Sequence, residues 1–161
     1  MVFADHDFKN FPELTDGQMI FYYFQSPHEQ LTHNFFAIVT SVHDGDTITV
    51  ETEGRDFKFP IRLARIDAPE MKDRGGEESR DWLRERILNK KVEVRINPRN
   101  RVEKFGRLLG DIIIDGISMS EESVRSGRAV WFGLEEGNKT MNWHKVMQKE
   151  KLKLENNIWL G

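Results

Sequence analysis

Between Phe35 and Ile66 the chain reads as three consecutive extended stretches separated by two short turns. Phe35 to His43 (FFAIVTSVH) is rich in β-formers. Asp44-Gly45-Asp46 follows as a turn, because Asp and Gly accept the backbone angles that turns need. Thr47 to Glu53 (TITVETE) then alternates, with Ile48 and Val50 on one face. After the turn Gly54-Arg55-Asp56, the apolar residues Phe57, Phe59 and Ile61 alternate with Lys58, Pro60 and Arg62. Leu63 to Ile66 extends that strand until Ala68-Pro69 ends it. Three strands with one apolar face each need a second layer or closure on themselves.

The remainder supplies the closure. Glu77 to Asn89 has Trp82, Leu83, Ile87 and Leu88 at near-helical spacing. Lys91 to Ile96 alternates as a strand, and Leu108 to Ile114 is another, closed by Asp115-Gly116. Ser120 to Ser126 is predicted as a short helix ended by Gly127, and Thr140 to Asn156 as a charged final helix. Five short strands and three helices define an α+β chain, mainly a small barrel, with the oligonucleotide/oligosaccharide-binding (OB) fold as the natural candidate. Residues 1–34 read as an N-terminal extension and 35–161 as the domain. Within the extension, Gln18 to Gln25 is predicted to be extended, since Ile20, Tyr22, Tyr23 and Phe24 favour that backbone.

The 161 residues fit one domain, and the absence of cysteine excludes thiolate metal sites, cysteine nucleophiles and redox switching. No basic segment followed by an apolar stretch opens the chain, and Met19 to Phe24 is too short to span a bilayer. The expectation is a soluble monomer, cytoplasmic as it stands or secreted if a leader was removed. Net charge is −3, yet residues 84–107 hold nine Lys/Arg against three Glu. Such a run is a basic face for phosphates or an ordinary solvated stretch.

Four short pieces carry chemistry: Asp44-Gly45-Asp46-Thr47, the run from Arg62 to Glu70, Lys104-Phe105-Gly106-Arg107, and Asn157-Ile158-Trp159. Asp46, Asp67 and Glu70 are hard oxygen donors of the kind that suits calcium or magnesium. Asp46 opens one strand and Asp67 closes the next, so a hairpin sets those ends side by side. Arg62 and Arg107 offer planar forks that match phosphate oxygens in pairs. Taken singly, Asp-Gly-Asp is a turn and Ala-Pro-Glu a strand end. Together, in this order, they supply what phosphodiester cleavage needs: a metal, a positioner for water and cations for developing charge.

These motifs resemble the staphylococcal-nuclease-like (thermonuclease) family, with its D-G-D-T turn, R-L-x-x-I/V-D-x-P-E run, K-Y/F-G-R turn and N-I-W ending. The resemblance covers about residues 36–160. It implies a calcium-dependent nuclease acting on DNA and/or RNA with little sequence specificity and leaving a 3′-phosphate and a 5′-hydroxyl. By the same resemblance, Asp46, Asp67 and the backbone carbonyl of Ala68 bind Ca2+. Glu70 orients or deprotonates water, and Arg62 and Arg107 clamp the phosphate. Lys104 and Phe105 hold a terminal phosphate and sugar, and Trp131 and Phe132 either stack bases or pack against the last helix. Phe105 stands where the family often has tyrosine, and the connection Met71 to Gly76 is shorter than the long basic loop of the best-known member. A binding module of the same fold is the alternative, as is an accessory protein docking through residues 1–34. The five residues Asp46, Asp67, Glu70, Arg62 and Arg107 discriminate for the enzyme.

Overall fold

The longest strand, β1 (Phe35–Asp44), is the spine of a barrel. It pairs antiparallel on one side with β2 (Thr47–Glu51) and on the other with β5 (Lys91–Arg95). β2 continues antiparallel to β3 (Phe59–Leu63), and β5 to β6 (Leu108–Ile114). A parallel pairing of β3 with β6, Ile61 opposite Leu108, closes the five strands on themselves. Closure requires strong bending, and β1 supplies it through two register shifts, between Val39 and Ser41 and between Val42 and Asp44. This is a computed structural model, and it describes residues 5–132.

The inward residues are those the alternation selects. Ile48, Val50, Phe59, Ile61, Leu63, Val92, Val94, Leu108 and Ile112 are buried in one core. Helix α2 (Gly76–Ile87) plugs one end with Leu83 and Ile87, both fully buried. The chain leaving α2 meets the bend of β1, where Asn89 N donates to Val39 O at 2.8 Å and Val39 N to Lys90 O at 3.1 Å. Helix α3 (Met119–Arg125) follows the two-residue strand β7 (Ile117–Ser118), whose Ser118 hydroxyl caps it. No helix among the described residues is long and apolar enough to cross a membrane.

Several expectations are corrected. The strand expected from Phe57 to Ile66 is two: β3 ends at Leu63, and β4 (Ile66–Asp67) begins after a turn with Arg65 at φ 71°. β4 pairs antiparallel with β8 (Val130–Trp131) in a separate small sheet. The stretch Gln18 to Gln25 is not extended. It lies in helix α1 (Asp16–Tyr22) and a following 3-10 turn. The reason is local: Thr15 and Gln18 form a reciprocal capping box, which satisfies two N-terminal amides and outweighs the β-preference of the aromatics. The expected helix from Thr140 to Asn156 lies outside the described residues.

The basic run is not one surface. Arg101 is buried, Arg95 pairs with Glu93, and Arg107 pairs with Glu103.

Candidate active site

Everything at the site is arranged around Asp46, the residue before β2. Its main-chain oxygen accepts from Leu63 N at 2.8 Å, locking the turn to the end of β3. Its own amide donates to Asp44 Oδ1 at 3.0 Å. The neighbouring Gly45 makes this approach possible, since a Cβ there would lie 2.0 Å from Ser79 Oγ on α2 and 2.7 Å from Ala68 Cβ. Gly45→Ala is therefore expected to destabilise the fold by about 1–3 kcal/mol, read as a lowered melting temperature. An unchanged value would mean that Ser79 and Ala68 give way freely.

The Asp46 carboxylate is almost buried. Oδ2 accepts from Ala68 N at 2.8 Å and Oδ1 from Thr47 Oγ1 at 3.2 Å. The bond to Ala68 explains how Asp67 reaches the site. The turn at Ala64–Arg65 carries the chain away from β3, and β4 returns it beside Asp46. Asp46 thus sits against Leu63 rather than directly beside Asp67 across a hairpin, as the continuous strand implied.

Arg62 lies opposite Thr47 in the β2–β3 register, which places its side chain at the same mouth. Its Nη2 is 3.4 Å from Asp46 Oδ2 and 3.7 Å from Asp67 Oδ1. Its Nη1 donates to the carbonyls of Leu63 at 3.0 Å and Ile66 at 2.7 Å. The guanidinium is therefore held by backbone as well as by charge. Burial pushes the Asp46 carboxyl up to about 6, against the opposing pull of Arg62 and the Ala68 amide, with Asp44 adding to the rise. A desolvated carboxylate beside a second one favours a further cation. Among the described residues no group of three or more His, Asp or Glu is arranged to hold a metal ion. Asp46 and Asp67 are themselves oxygen donors of the kind a hard cation takes, with water or phosphate completing its shell.

Arg107 enters from the β5–β6 loop. Its Nη1 donates to Thr47 Oγ1 at 3.2 Å, so Thr47 links it to Asp46. Nε and Nη2 each bond to Glu103, at 3.2 Å, and Glu103 Oε1 also accepts the amides of Phe105 and Arg107 at 3.0 Å. Burial raises the Glu103 carboxyl, but the bonds and charge of Arg107 outweigh it and hold it below the ordinary value. The sequence assigns no role to Glu103, and it places Thr47 only as the last residue of the Asp44–Thr47 turn. The signal available for Glu103 was an acid four residues before Arg107 across a glycine turn.

The other expected residues divide. Lys104 and Phe105 are exposed at the loop tip, with Lys104 Nζ 5.0 Å from the Phe105 ring centre and the Arg107 guanidinium 6.0 Å from it. The Glu70 carboxylate is exposed and pairs with Lys72 at 3.5 Å. Ala68 contacts Asp46 through its amide. Trp131 is partly buried against the core with Arg65 5.2 Å over its ring, whereas Phe132 is exposed. Both adjoin β4, Val130 pairing with Asp67.

An OB-type barrel with paired carboxylates and two guanidinium groups at its mouth defines the class. Comparison with known proteins gives the family. A family model described as "Staphylococcal nuclease homologue" matches residues 60–160. Over 122 residues the chain is 34% identical to an "Uncharacterized endonuclease" of Escherichia coli O157:H7, covering 75% of this chain and 74% of that one. It is 28% identical over 123 residues to "Endonuclease YncB" of Bacillus subtilis (strain 168), covering 72% and 57%. A "Probable staphylococcal-like nuclease CAN3" of Oryza sativa subsp. japonica is 36% identical over 75 residues, 47% of this chain and 19% of that one. The chain belongs to the staphylococcal nuclease family.

Proposed function

We propose that the protein is a calcium-dependent nuclease that hydrolyses phosphodiester bonds of DNA and/or RNA with little sequence specificity. The observation that carries this reading is the convergence of Asp46 and Asp67 on Arg62, with Arg107 joined to the same cluster through Thr47. Family membership and the endonuclease names of its relatives support it. Asp46, Asp67 and the Ala68 carbonyl would hold the calcium ion, which supplies polarisation of the phosphoryl oxygens.

The chain's own groups do the rest. Arg62 and Arg107 receive the non-bridging phosphoryl oxygens, where charge grows as water adds to phosphorus. Glu70, an exposed carboxylate, takes a proton from that water. The bond from phosphorus to the 5′-oxygen breaks, Arg107 stabilises the charge on the departing oxygen, which takes a proton from solvent, and a 3′-phosphate and a 5′-hydroxyl remain. Lys104 and Phe105 seat a terminal phosphate and its sugar. Phe132, with Trp131 beside it, gives bases a sequence-tolerant face, worth about 1–3 kcal/mol per stacked base.

The test is cleavage of single-stranded DNA and of RNA with calcium, with magnesium and with chelator. Calcium-dependent cutting to 3′-phosphate ends is expected. Cutting at the same rate in chelator, or 5′-phosphate products, would refute the reading. Binding without cutting under any metal would select the non-catalytic module.

A further inference from the structure

Glu13 lies outside the barrel sequence, yet it is 1% exposed. Both of its oxygens are engaged. Oε1 pairs with Arg55, and Oε2 accepts from Arg101 Nη2 at 2.9 Å and from Leu31 N at 3.0 Å. Arg101 returns further bonds to the extension, Nε to Leu31 O at 3.0 Å and Nη1 to Leu14 O at 3.1 Å. The extension is itself sewn into one piece. Buried Gln30 accepts from Leu14 N at 2.7 Å and donates to Pro12 O at 2.8 Å.

Arg101 is the base of the loop that carries Phe105 and Arg107. Its carbonyl accepts from Leu109 N at 2.7 Å, closing the loop's neck. The extension also reaches the loop's tip. A Cβ on Gly106 would lie 2.7 Å from Phe11 Cδ1, and Gly106 holds φ 86° in the turn before Arg107. The same segment therefore grips the loop at both ends.

We infer that Glu13 is a positioning residue for the nuclease reaction: through Arg101, and with Phe11 at the tip, it sets where Arg107 presents its guanidinium. The inference rests on the nuclease reading proposed above. The physical case is that a buried guanidinium deprived of its carboxylate is strongly destabilised and moves toward water. Because the Arg101 carbonyl closes the neck of the loop, a shift of Arg101 toward water pulls on that neck. Displacing a catalytic group by about 1 Å is enough to cost on the order of 100-fold.

The experiment is a double-mutant cycle on the full chain, Glu13→Gln alone and combined with Arg107→Ala, followed by single-turnover cleavage of single-stranded DNA. Glu13→Gln alone is expected to lower the single-turnover rate roughly tenfold or more, and to lower it no further where Arg107 is already alanine. Equal losses in both backgrounds would mark Glu13 as merely structural and overturn the inference. So would an unchanged rate in the single variant. If circular dichroism finds Glu13→Gln unfolded at the assay temperature, Phe11→Ala, at a half-exposed position, takes its place in the cycle. A loss confined to the Arg107 background then supports positioning, and equal losses or an unchanged rate overturn it. A wild type that does not cut refutes the nuclease reading instead. Positioning is then read from the Arg107 Nε–H resonance in the NMR spectrum, which should shift or broaden in Glu13→Gln. An unmoved resonance would overturn it.

Discussion

Arg107→Ala is expected to lower kcat for cleavage of single-stranded DNA by about two to three orders of magnitude, the cost typical of removing one preorganised donor to a developing oxyanion. The melting temperature should fall by no more than about 4 °C, because Arg107 is partly exposed and its pair with Glu103 is worth about 1 kcal/mol or less. Glu103 keeps the amides of Phe105 and Arg107 as donors, so it is not orphaned. KM should change much less than kcat, since the interaction strengthens as charge moves onto the phosphoryl oxygens. Steady-state kinetics beside a thermal melt decide it. A wild-type kcat in a folded variant would place the chemistry elsewhere on the barrel.

Much of this architecture is written locally in the chain. The strands are legible because period-two alternation and the turns at Gly45 and Gly54 are short-range properties. The break after Leu63 is not, because Leu63 to Ile66 is apolar enough to read as continuous strand. Only the left-handed backbone at Arg65 reveals the corner. Helix α1 is hidden for the opposite reason. Its signal was present in Thr15 and Gln18, and the aromatic residues behind them masked it.

The site divides in the same way. Asp46 and Arg62 come together because they lie at the legible ends of β2 and β3, whereas Asp67 is brought in by β4, whose separate start the sequence hides. Thr47 reaches Arg107 through a tertiary contact that no spacing announces, whereas Glu103 is a local partner four residues before Arg107. Glu13 and Arg101 stand 88 residues apart, and nothing in a charge run tells a buried arginine from a solvated one. Arg101, counted among surface cations by composition, turns out to be the anchor of the loop.

Asp46→Asn is expected to separate the cost of the site from its use. In the metal-free fold the Asp46 carboxyl is pushed up to about 6 from an ordinary value of 3.8. A raised carboxyl contributes stability that is complete below the unfolded value and is lost as pH climbs through the folded one. The ionised site therefore weakens the chelated wild type above about pH 6 by at most roughly 3 kcal/mol. Asparagine keeps an oxygen for the Ala68 amide, while Arg62 keeps Asp67 and the carbonyls of Leu63 and Ile66. In chelator at pH 7 to 8 the variant should then melt several degrees above wild type, at about 2–4 °C per kcal/mol. Near pH 4 the two should converge. Calcium should reverse the order, because a cation bound to the folded state raises the wild-type melting temperature by mass action and finds one carboxylate fewer in the variant. Cleavage should be lost in the variant at every calcium concentration. A variant less stable than wild type in chelator at pH 7 would mean that the pair with Arg62 outweighs the burial of Asp46. A calcium-induced rise equal to that of wild type would remove Asp46 from the cation's ligands.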